Sequence, residues 1–327
     1  MVCKDNKSMK YSKRIFYVKP RFKQKFTGAQ IKNSFYITAP LYAFMILLLL
    51  VTCKSIPVMP DSFLKNERFL PLETGASVYL VANVVTARCI LDLLPIEELK
   101  DNQAKDLLDR TGYAVAALFP EESGKRFQLC AWGNYPSFRA GFAFTFDKNW
   151  KKQRSSSGDS YWHSAQSGLS IALTSEQAFA ASSLNRTPAD PLSGQAGKEI
   201  PEGFNDFRAG SPVSFWLEEP DKVISRLFDA AGIPIQFPVK NLFVNIIPVE
   251  NNYEADICFL LENTSQTRGM AAILNLASRH MAGDSDSIIA MLFFANPSVQ
   301  KDRSLDLKSA ALDENNIRML FNIFFGI

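Results

Sequence analysis

The 327-residue sequence predicts an α+β fold of antiparallel sheets with helices on one face. Two pairs of apolar runs are each joined by a polar turn, 113–119 with 126–132 and 241–249 with 255–261, which is the pattern of β-hairpins. Segments of helical periodicity precede and follow these hairpins. Strands and helices in this mixed order argue against a doubly wound parallel sheet.

An apolar stretch without a charged residue, 35–52, stands near the start of the chain. As a helix it would measure about 27 Å, close to the hydrocarbon thickness of a bilayer. The residues before it carry ten Lys or Arg against one acid, Asp5, so the positive-inside rule keeps this end in the cytoplasm and exports the rest. Residues 1–52 are therefore predicted to be a signal peptide, with translation starting at Met1 or Met9.

The apolar stretch ends in Leu50-Val51-Thr52-Cys53. This sequence resembles the lipobox of bacterial lipoproteins, and Thr52 fits the looser lipoboxes of spirochaetes. The resemblance implies that Cys53 is acylated and becomes the mature N-terminus, anchored in the inner or the outer membrane. The alternative is an uncleaved signal anchor. Residues 53–72 contain three prolines and predict an extended tether between the lipid and the fold.

The charge of the chain changes sign at Cys53. The whole chain has 36 basic and 33 acidic residues, and removal of the signal segment leaves 26 and 32, a net charge of −6. A nucleic-acid partner requires Lys and Arg to neutralise its phosphates. We therefore exclude nucleic acid as a partner.

The first predicted module covers residues 73–181. A strand at 78–84 precedes a helix with Thr86 as its N-cap, and a second helical stretch ends at Arg110, before the first hairpin. Residues 137–152 fit a strand or a helix, and we favour the helix. Strands are predicted at 161–164 and 169–174, and Ser175 is expected to cap a short helix through Ala181.

Residues 182–212 are rich in Pro, Gly and Ser and show no periodicity, which predicts a linker or a lid loop. The loop carries four large apolar side chains that we expect to dock along the junction of two modules and to line a ligand or partner site: Leu192, Ile200, Phe204 and Phe207.

The second predicted module, 213–327, repeats the order of the first. A strand at 213–218 and a helix at 221–231 precede the second hairpin, a helix follows at 265–281, and Asp313 is expected to cap a last helix. Each module thus reads strand, helix, strand, strand. This order resembles the ferredoxin-like plan, so we predict two such modules in tandem.

Residues suited to catalysis or metal binding are sparse. The two histidines are His163 and His280. Neither has another histidine or cysteine about three to five residues away, which is the spacing of zinc ligands. The thiols of Cys89, Cys130 and Cys258 have apolar neighbours, which favours buried, free and unreactive cysteines, although the sequence does not exclude a disulfide between two of them. The sequence therefore predicts no catalytic residue, metal or cofactor.

Three classes of function follow. The first is a non-enzymatic envelope lipoprotein that binds or scaffolds another envelope protein. The second is a carrier of an apolar lipid-like or peptide ligand, suggested by the 26 phenylalanines of the chain. The third is a hydrolase whose site is assembled from residues that no motif connects.

Overall fold

The computed structural model describes residues 68–93, 105–119, 126–135, 141–155, 158–173, 178–184, 197–225, 238–281 and 298–325, apart from positions 106, 142, 143, 219, 222 and 251. All described residues belong to one compact unit. The predicted signal segment, Cys53 and most of the tether lie outside them. No helix in the described ranges has the length and apolarity to cross a bilayer.

Fourteen strands and four helices are described, numbered in chain order. The strands are β1 (Phe69–Leu70), β2 (Val78–Asn83), β3 (Thr111–Phe119), β4 (Arg126–Gly133), β5 (Trp150–Arg154), β6 (Ser160–Ser164), β7 (Leu169–Leu173), β8 (Ala178–Ser182), β9 (Lys198–Glu199), β10 (Val213–Glu218), β11 (Val239–Val249), β12 (Asn252–Leu261), β13 (Ser298–Lys301) and β14 (Ser304–Leu312). The helices are α1 (Val84–Leu91), α2 (Phe204–Phe207), α3 (Thr264–Met281) and α4 (Glu314–Phe325).

Twelve of these strands form one antiparallel sheet in the order β13-β14-β12-β11-β10-β2-β3-β4-β8-β7-β6-β5. The other two, β1 and β9, form a separate antiparallel ribbon. The prediction of a mixed α+β fold with antiparallel strands is confirmed. Two separate ferredoxin-like modules are not confirmed, because β2 and β10, the first strands of the two predicted modules, pair with each other from Val78↔Leu217 to Ala82↔Val213.

One face of the sheet is covered by helices. Alternate side chains of β10, β11, β12 and β14 point to this face and pack with buried residues of α1, α3 and α4, such as Ile90, Leu274 and Phe321. The predicted helix at 265–281 corresponds to α3. Asp313 caps α4 as expected, because its Oδ1 accepts a hydrogen bond from Asn316 N at 2.8 Å.

The opposite face carries a thinner cover. Side chains of β2, β3, β10 and β11 on this face pack against the β1–β9 ribbon and α2, with Leu70, Ile200 and Phe204 buried between them. Beyond that cover, β12 and β14 present polar side chains such as Asp256 and Lys308. This face is therefore apolar under the ribbon and polar beside it.

Four local predictions are wrong. The N-cap of α1 is Asn83, whose Oδ1 accepts from Thr86 N, so the helix begins two residues before Thr86. A helix is the favoured prediction for the segment 137–152. Residues 144–146 of this segment are helical, but its last residues belong to strand β5. Ser175 does not cap a helix through Ala181, because β8 occupies this range and is buried along its whole length between β4 and β7. Residues 198–207 of the predicted loop contain β9 and α2.

Candidate functional site

A groove of about 1470 Å³ lies on the thinly covered face. Its lining comes from the β9–α2 segment, from β11 and β12, and from the β13–β14 hairpin. Twelve of the 25 described residues that line it are charged. The groove is therefore a polar site with an apolar floor, to which Phe243 and Leu260 contribute.

An aromatic layer holds α2 against the sheet. Tyr79 of β2 stacks on Trp216 of β10, with ring centroids 4.8 Å apart and an interplanar angle of 17°. Phe204 of α2 meets the Trp216 ring edge to face at 4.6 Å and the Phe243 ring at 5.3 Å. Such ring contacts add to the burial of apolar area and fix the position of α2 over β10 and β11.

A half-buried ion pair stands at the end of the groove next to this layer. Lys198 Nζ pairs with Glu218 Oε1, and their side chains are 15% and 26% exposed. The same ammonium lies 5.3 Å from the centroid of the Tyr79 ring. The Tyr79 hydroxyl accepts from Ala76 N and donates to Glu73 O, and burial raises its pKa, so the ring keeps a neutral, fixed position.

The cover by α2 leaves two polar atoms beneath it without a partner. Trp216 Nε1 and Asn245 Oδ1 are buried and make no hydrogen bond in the described part of the chain. Asn245 Nδ2 donates to Phe207 O at 2.7 Å, which ties α2 to β11. Each unpaired buried group costs about 1–3 kcal/mol, so the α2 segment is held less firmly than its aromatic contacts suggest.

The β13–β14 side of the groove is basic. Lys301 Nζ pairs with Asp306 Oδ2 at 3.2 Å, and Lys308 Nζ lies 3.8 Å from Asp256 Oδ2. Arg303, in the turn between the two strands, has no ion-pair partner among the described residues. This side therefore presents the Arg303 cation to a ligand even after its internal pairs are formed.

The candidate nucleophiles are held in structural contacts. Cys130 is fully buried and donates its thiol to Pro71 O at 3.2 Å, and burial raises its pKa to about 12. Cys258, in the groove floor, also has a raised thiol pKa, because it is buried and lies beside the Asp306 carboxylate. Both cysteines are free, as predicted. Neither thiol is a competent nucleophile.

His163 meets a serine on the neighbouring strand. Its Nδ1 lies 2.9 Å from Ser170 Oγ, and these residues are register partners on β6 and β7. Ser170 is 4% exposed, which leaves little room for a substrate. The side chain of His280 lies outside the described part of the structure.

The three cysteines that follow Cys53 in the sequence do not pair with one another. Cys130 and Cys258 are free thiols, so neither is bonded to the other or to Cys89. The question of a pair among these three cysteines is thus answered in the negative.

The sequence-predicted loop residues occupy different places. Ile200 and Phe207 line the groove, whereas Phe204 is buried beneath it in the aromatic layer. Leu192 and Cys53 lie outside the described residues. No cluster of metal-ligating side chains occurs in the described ranges. The charged residues opposite the loop carry no motif and were missed, since they are single residues on two strands and the turn between them, which only the fold brings to the groove.

The fold and the groove together define a class: an α+β protein with a large antiparallel sheet that bears an open, charged site on one face. Comparison of the sequence with protein families identifies the family to which the chain belongs. The family described as outer membrane-associated lipoprotein TP0453 matches residues 66–291, more than two thirds of the chain. The chain belongs to this family of lipoproteins. It is therefore a lipoprotein of the bacterial envelope, anchored to a membrane outside the cytoplasm.

Solved structures agree with the fold. The chain is similar to crystal forms III, I and IV of TP0453, at 15%, 14% and 14% sequence identity and TM-scores of 0.54, 0.57 and 0.54. The alignments cover 79%, 80% and 78% of this chain and 98%, 98% and 96% of the other. At this identity the likeness concerns the fold alone. Comparison with curated proteins finds no match.

Proposed function

We propose that this lipoprotein is a non-enzymatic binding module that holds a polar envelope partner in the charged groove, while acyl chains on Cys53 keep it at the membrane. The observation that carries the proposal is the groove itself, because a site of about 1470 Å³ lined half by charged residues is suited to a polar partner. This lining supports such a partner over the apolar ligand of the carrier alternative.

The non-enzymatic part of the proposal rests on the chemistry of the available nucleophiles. The thiols of Cys130 and Cys258 are held protonated by burial, and Ser170 is buried beside His163. A nucleophile needs an accessible position and an activating base as well as donors for the developing charge. We expect His163→Ala to alter stability only. Hydrolytic turnover abolished by this change, with folding intact, would support the hydrolase alternative instead.

The binding proposal is tested by photo-crosslinking in the native envelope. A photoreactive amino acid replaces Asn241, which lines the groove, in the full-length lipoprotein. The matched control carries it at Lys152, an exposed position on edge strand β5. We expect a discrete adduct from position 241 only. Equal adducts from both positions, or none from the groove, would remove the proposal.

We also propose that the two halves of the sheet are copies of one unit. On each side of the central β2–β10 pair the sheet continues with a hairpin and then one further strand. The order is β2-β3-β4-β8 in one half and β10-β11-β12-β14 in the other. Helix α1 follows β2, and residues 223–225 are helical after β10. This correspondence supports the repeat expected from the sequence, here within one continuous sheet.

A further inference from the structure

The charges that line the groove are not mixed evenly. On the side of the β1–β9 ribbon, α2 and the end of β10, two cations stand against four acids: Arg68 and Lys198 against Glu199, Glu202, Asp206 and Glu218. On the β13–β14 side, three cations stand against one acid: Lys301, Arg303 and Lys308 against Asp306. The first side therefore has a net charge of −2 and the second of +2, while the remaining two charged residues of the lining, Lys240 on β11 and Glu262 after the end of β12, have opposite charges and cancel.

Only some of these charged side chains form ion pairs within the protein. Arg68 and Lys198 are paired with Glu199 and Glu218, which leaves Glu202 and Asp206 as the acids of the first side without an ion-pair partner among the described residues. On the second side Lys301 and Lys308 are paired and Arg303 is not. We call these the acidic wall (Glu202, Asp206) and the basic wall (Lys301, Arg303, Lys308).

The distance between the walls follows from the sheet. Helix α2 of the acidic wall packs on Phe243 of β11, and the basic wall rises from β14 and β13. One strand, β12, separates β11 from β14 and forms the floor with Cys258 and Leu260. Neighbouring strands lie about 4.8 Å apart, so β11 and β14 are about 10 Å apart, which is the width of one extended chain with its side chains.

We infer that the groove takes an extended peptide segment of mixed charge, with cationic side chains toward the acidic wall and anionic side chains toward the basic wall. This inference rests on the proposed binding function and names its partner class. Successive side chains of an extended chain point in opposite directions. A segment whose charge alternates along the sequence therefore satisfies both walls at once, whereas a segment with its charges in blocks places like charges against each wall.

Two synthetic peptides of identical composition and net charge test the inference. The first is acetyl-Lys-Glu-Lys-Glu-Lys-Glu-amide and the second is acetyl-Lys-Lys-Lys-Glu-Glu-Glu-amide. Their dissociation constants are measured by calorimetry on the full-length lipoprotein in non-ionic micelles. We expect the alternating peptide to bind about fivefold more tightly, because several exposed ion pairs of modest strength act together, and its advantage to shrink at high salt.

Wall variants give the direction of binding. Glu202→Lys with Asp206→Lys makes the acidic wall basic, and we expect the alternating peptide to lose its advantage while acetyl-Glu-Ala-Glu-Ala-Glu-Ala-amide gains affinity. Arg303→Glu on the opposite wall is an independent second variant that should weaken the alternating peptide. The matched control is Lys151→Glu with Lys152→Glu on β5, outside the groove, and should change neither peptide. Circular dichroism verifies that each variant is folded.

Three results would overturn the inference. The block peptide binds as tightly as the alternating one, or neither peptide binds, or the wall variants leave binding unchanged. Vesicles of phosphatidylethanolamine that compete for the groove, with the same variants abolishing the competition, would assign the site to a zwitterionic headgroup instead. A groove-specific adduct from position 241 together with equal binding of the two peptides would retain the binding function and reject the peptide class. Failure of both experiments would reject both.

Discussion

At the scale of single residues, Phe204 shows how a side chain from a stretch of sequence without helical or strand periodicity becomes part of the core. It is fully buried and contacts the rings of Trp216 and Phe243. Its neighbour Phe207 is only partly buried and lines the groove. The two phenylalanines therefore have different roles: the first holds α2 in place and the second is available to a ligand.

We predict that Phe204→Ala lowers the free energy of unfolding by about 3–5 kcal/mol, because it removes a buried ring and leaves a cavity. Urea unfolding followed by tryptophan fluorescence measures the change. The control is Phe146→Ala, whose ring is 70% exposed, and it should shift the free energy by less than about 0.5 kcal/mol. A small effect of Phe204→Ala would mean that α2 is not packed as described.

Burial of a tyrosine hydroxyl and of a cysteine thiol predicts a loss of stability at alkaline pH. Burial raises the pKa of Tyr135 from 10.0 to about 12 and that of Cys130 from 9.0 to about 12. The folded state thus holds these protons more tightly than the unfolded state, so their contribution to stability is complete below about pH 9 and is lost as the pH rises toward about 12.

The urea midpoint should therefore fall between about pH 7 and pH 11. Tyr135→Phe removes one of the titrating groups and should reduce this fall, although loss of the Tyr135 contact with Thr111 Oγ1 at 2.9 Å lowers stability at neutral pH. A midpoint with the same pH dependence in the variant and the parent would contradict the assignment to Tyr135.

At the scale of elements, the segment from β9 to α2 is the part of the described structure that the groove depends on. It is tied to β1 and its neighbours by Lys198 N to Leu72 O at 2.8 Å and Ile200 N to Arg68 O at 2.9 Å. Helix α2 lies between two glycines with positive φ, Gly203 at 82° and Gly210 at 84°. These turns need glycine, because other residues adopt such angles only with strain.

Hydrogen exchange should show intermediate protection in 197–212. The backbone hydrogen bonds and the burial of Phe204 slow exchange, but the unpaired atoms of Trp216 and Asn245 favour local opening, so exchange should be faster than in β10. Mass spectrometry of peptides covering 197–212 and 213–218 compares the two. If residues 197–212 exchanged as rapidly as an unfolded chain, and no binding peptide slowed this exchange, the segment would be a flexible linker with no role in the site.

At the scale of the whole molecule, anchoring depends on the start of the mature chain. We predict that residues 1–52 are absent from the native protein and that Cys53 carries the acyl chains. Each buried methylene contributes about 0.8 kcal/mol, so several chains anchor the protein without a retained helix. Intact mass of the native protein decides the question. A mass that includes residues 1–52 would establish the signal anchor instead.

The continuity of the sheet predicts that its halves do not fold separately. A chain of residues 197–327 would expose the edge of β10 that pairs with β2, and unpaired edges of long strands promote aggregation. We expect this half to lack a cooperative unfolding transition by circular dichroism and to elute as aggregates, and co-expression with the other half to restore a soluble complex. A monomeric, cooperatively folded half would instead support two independent modules.

The sequence by itself determined the features that depend on neighbouring residues. Both hairpins follow from apolar runs beside a polar turn, α3 from its helical period, the start of α4 from Asp313, and the export of the chain from its basic, apolar and cysteine-containing start. Each of these signals acts within a few residues of where it is read, so a single sequence is enough to reveal it.

Tertiary structure alone decided how these pieces are joined. The pairing of β2 with β10 unites residues more than a hundred positions apart, and neither strand carries a local signal for its partner. The same holds for β8, whose burial between β4 and β7 overrides the helix expected after Ser175. The walls of the groove come from α2 and the β13–β14 hairpin, so their opposite charges face each other only because the sheet places those elements on either side of β12.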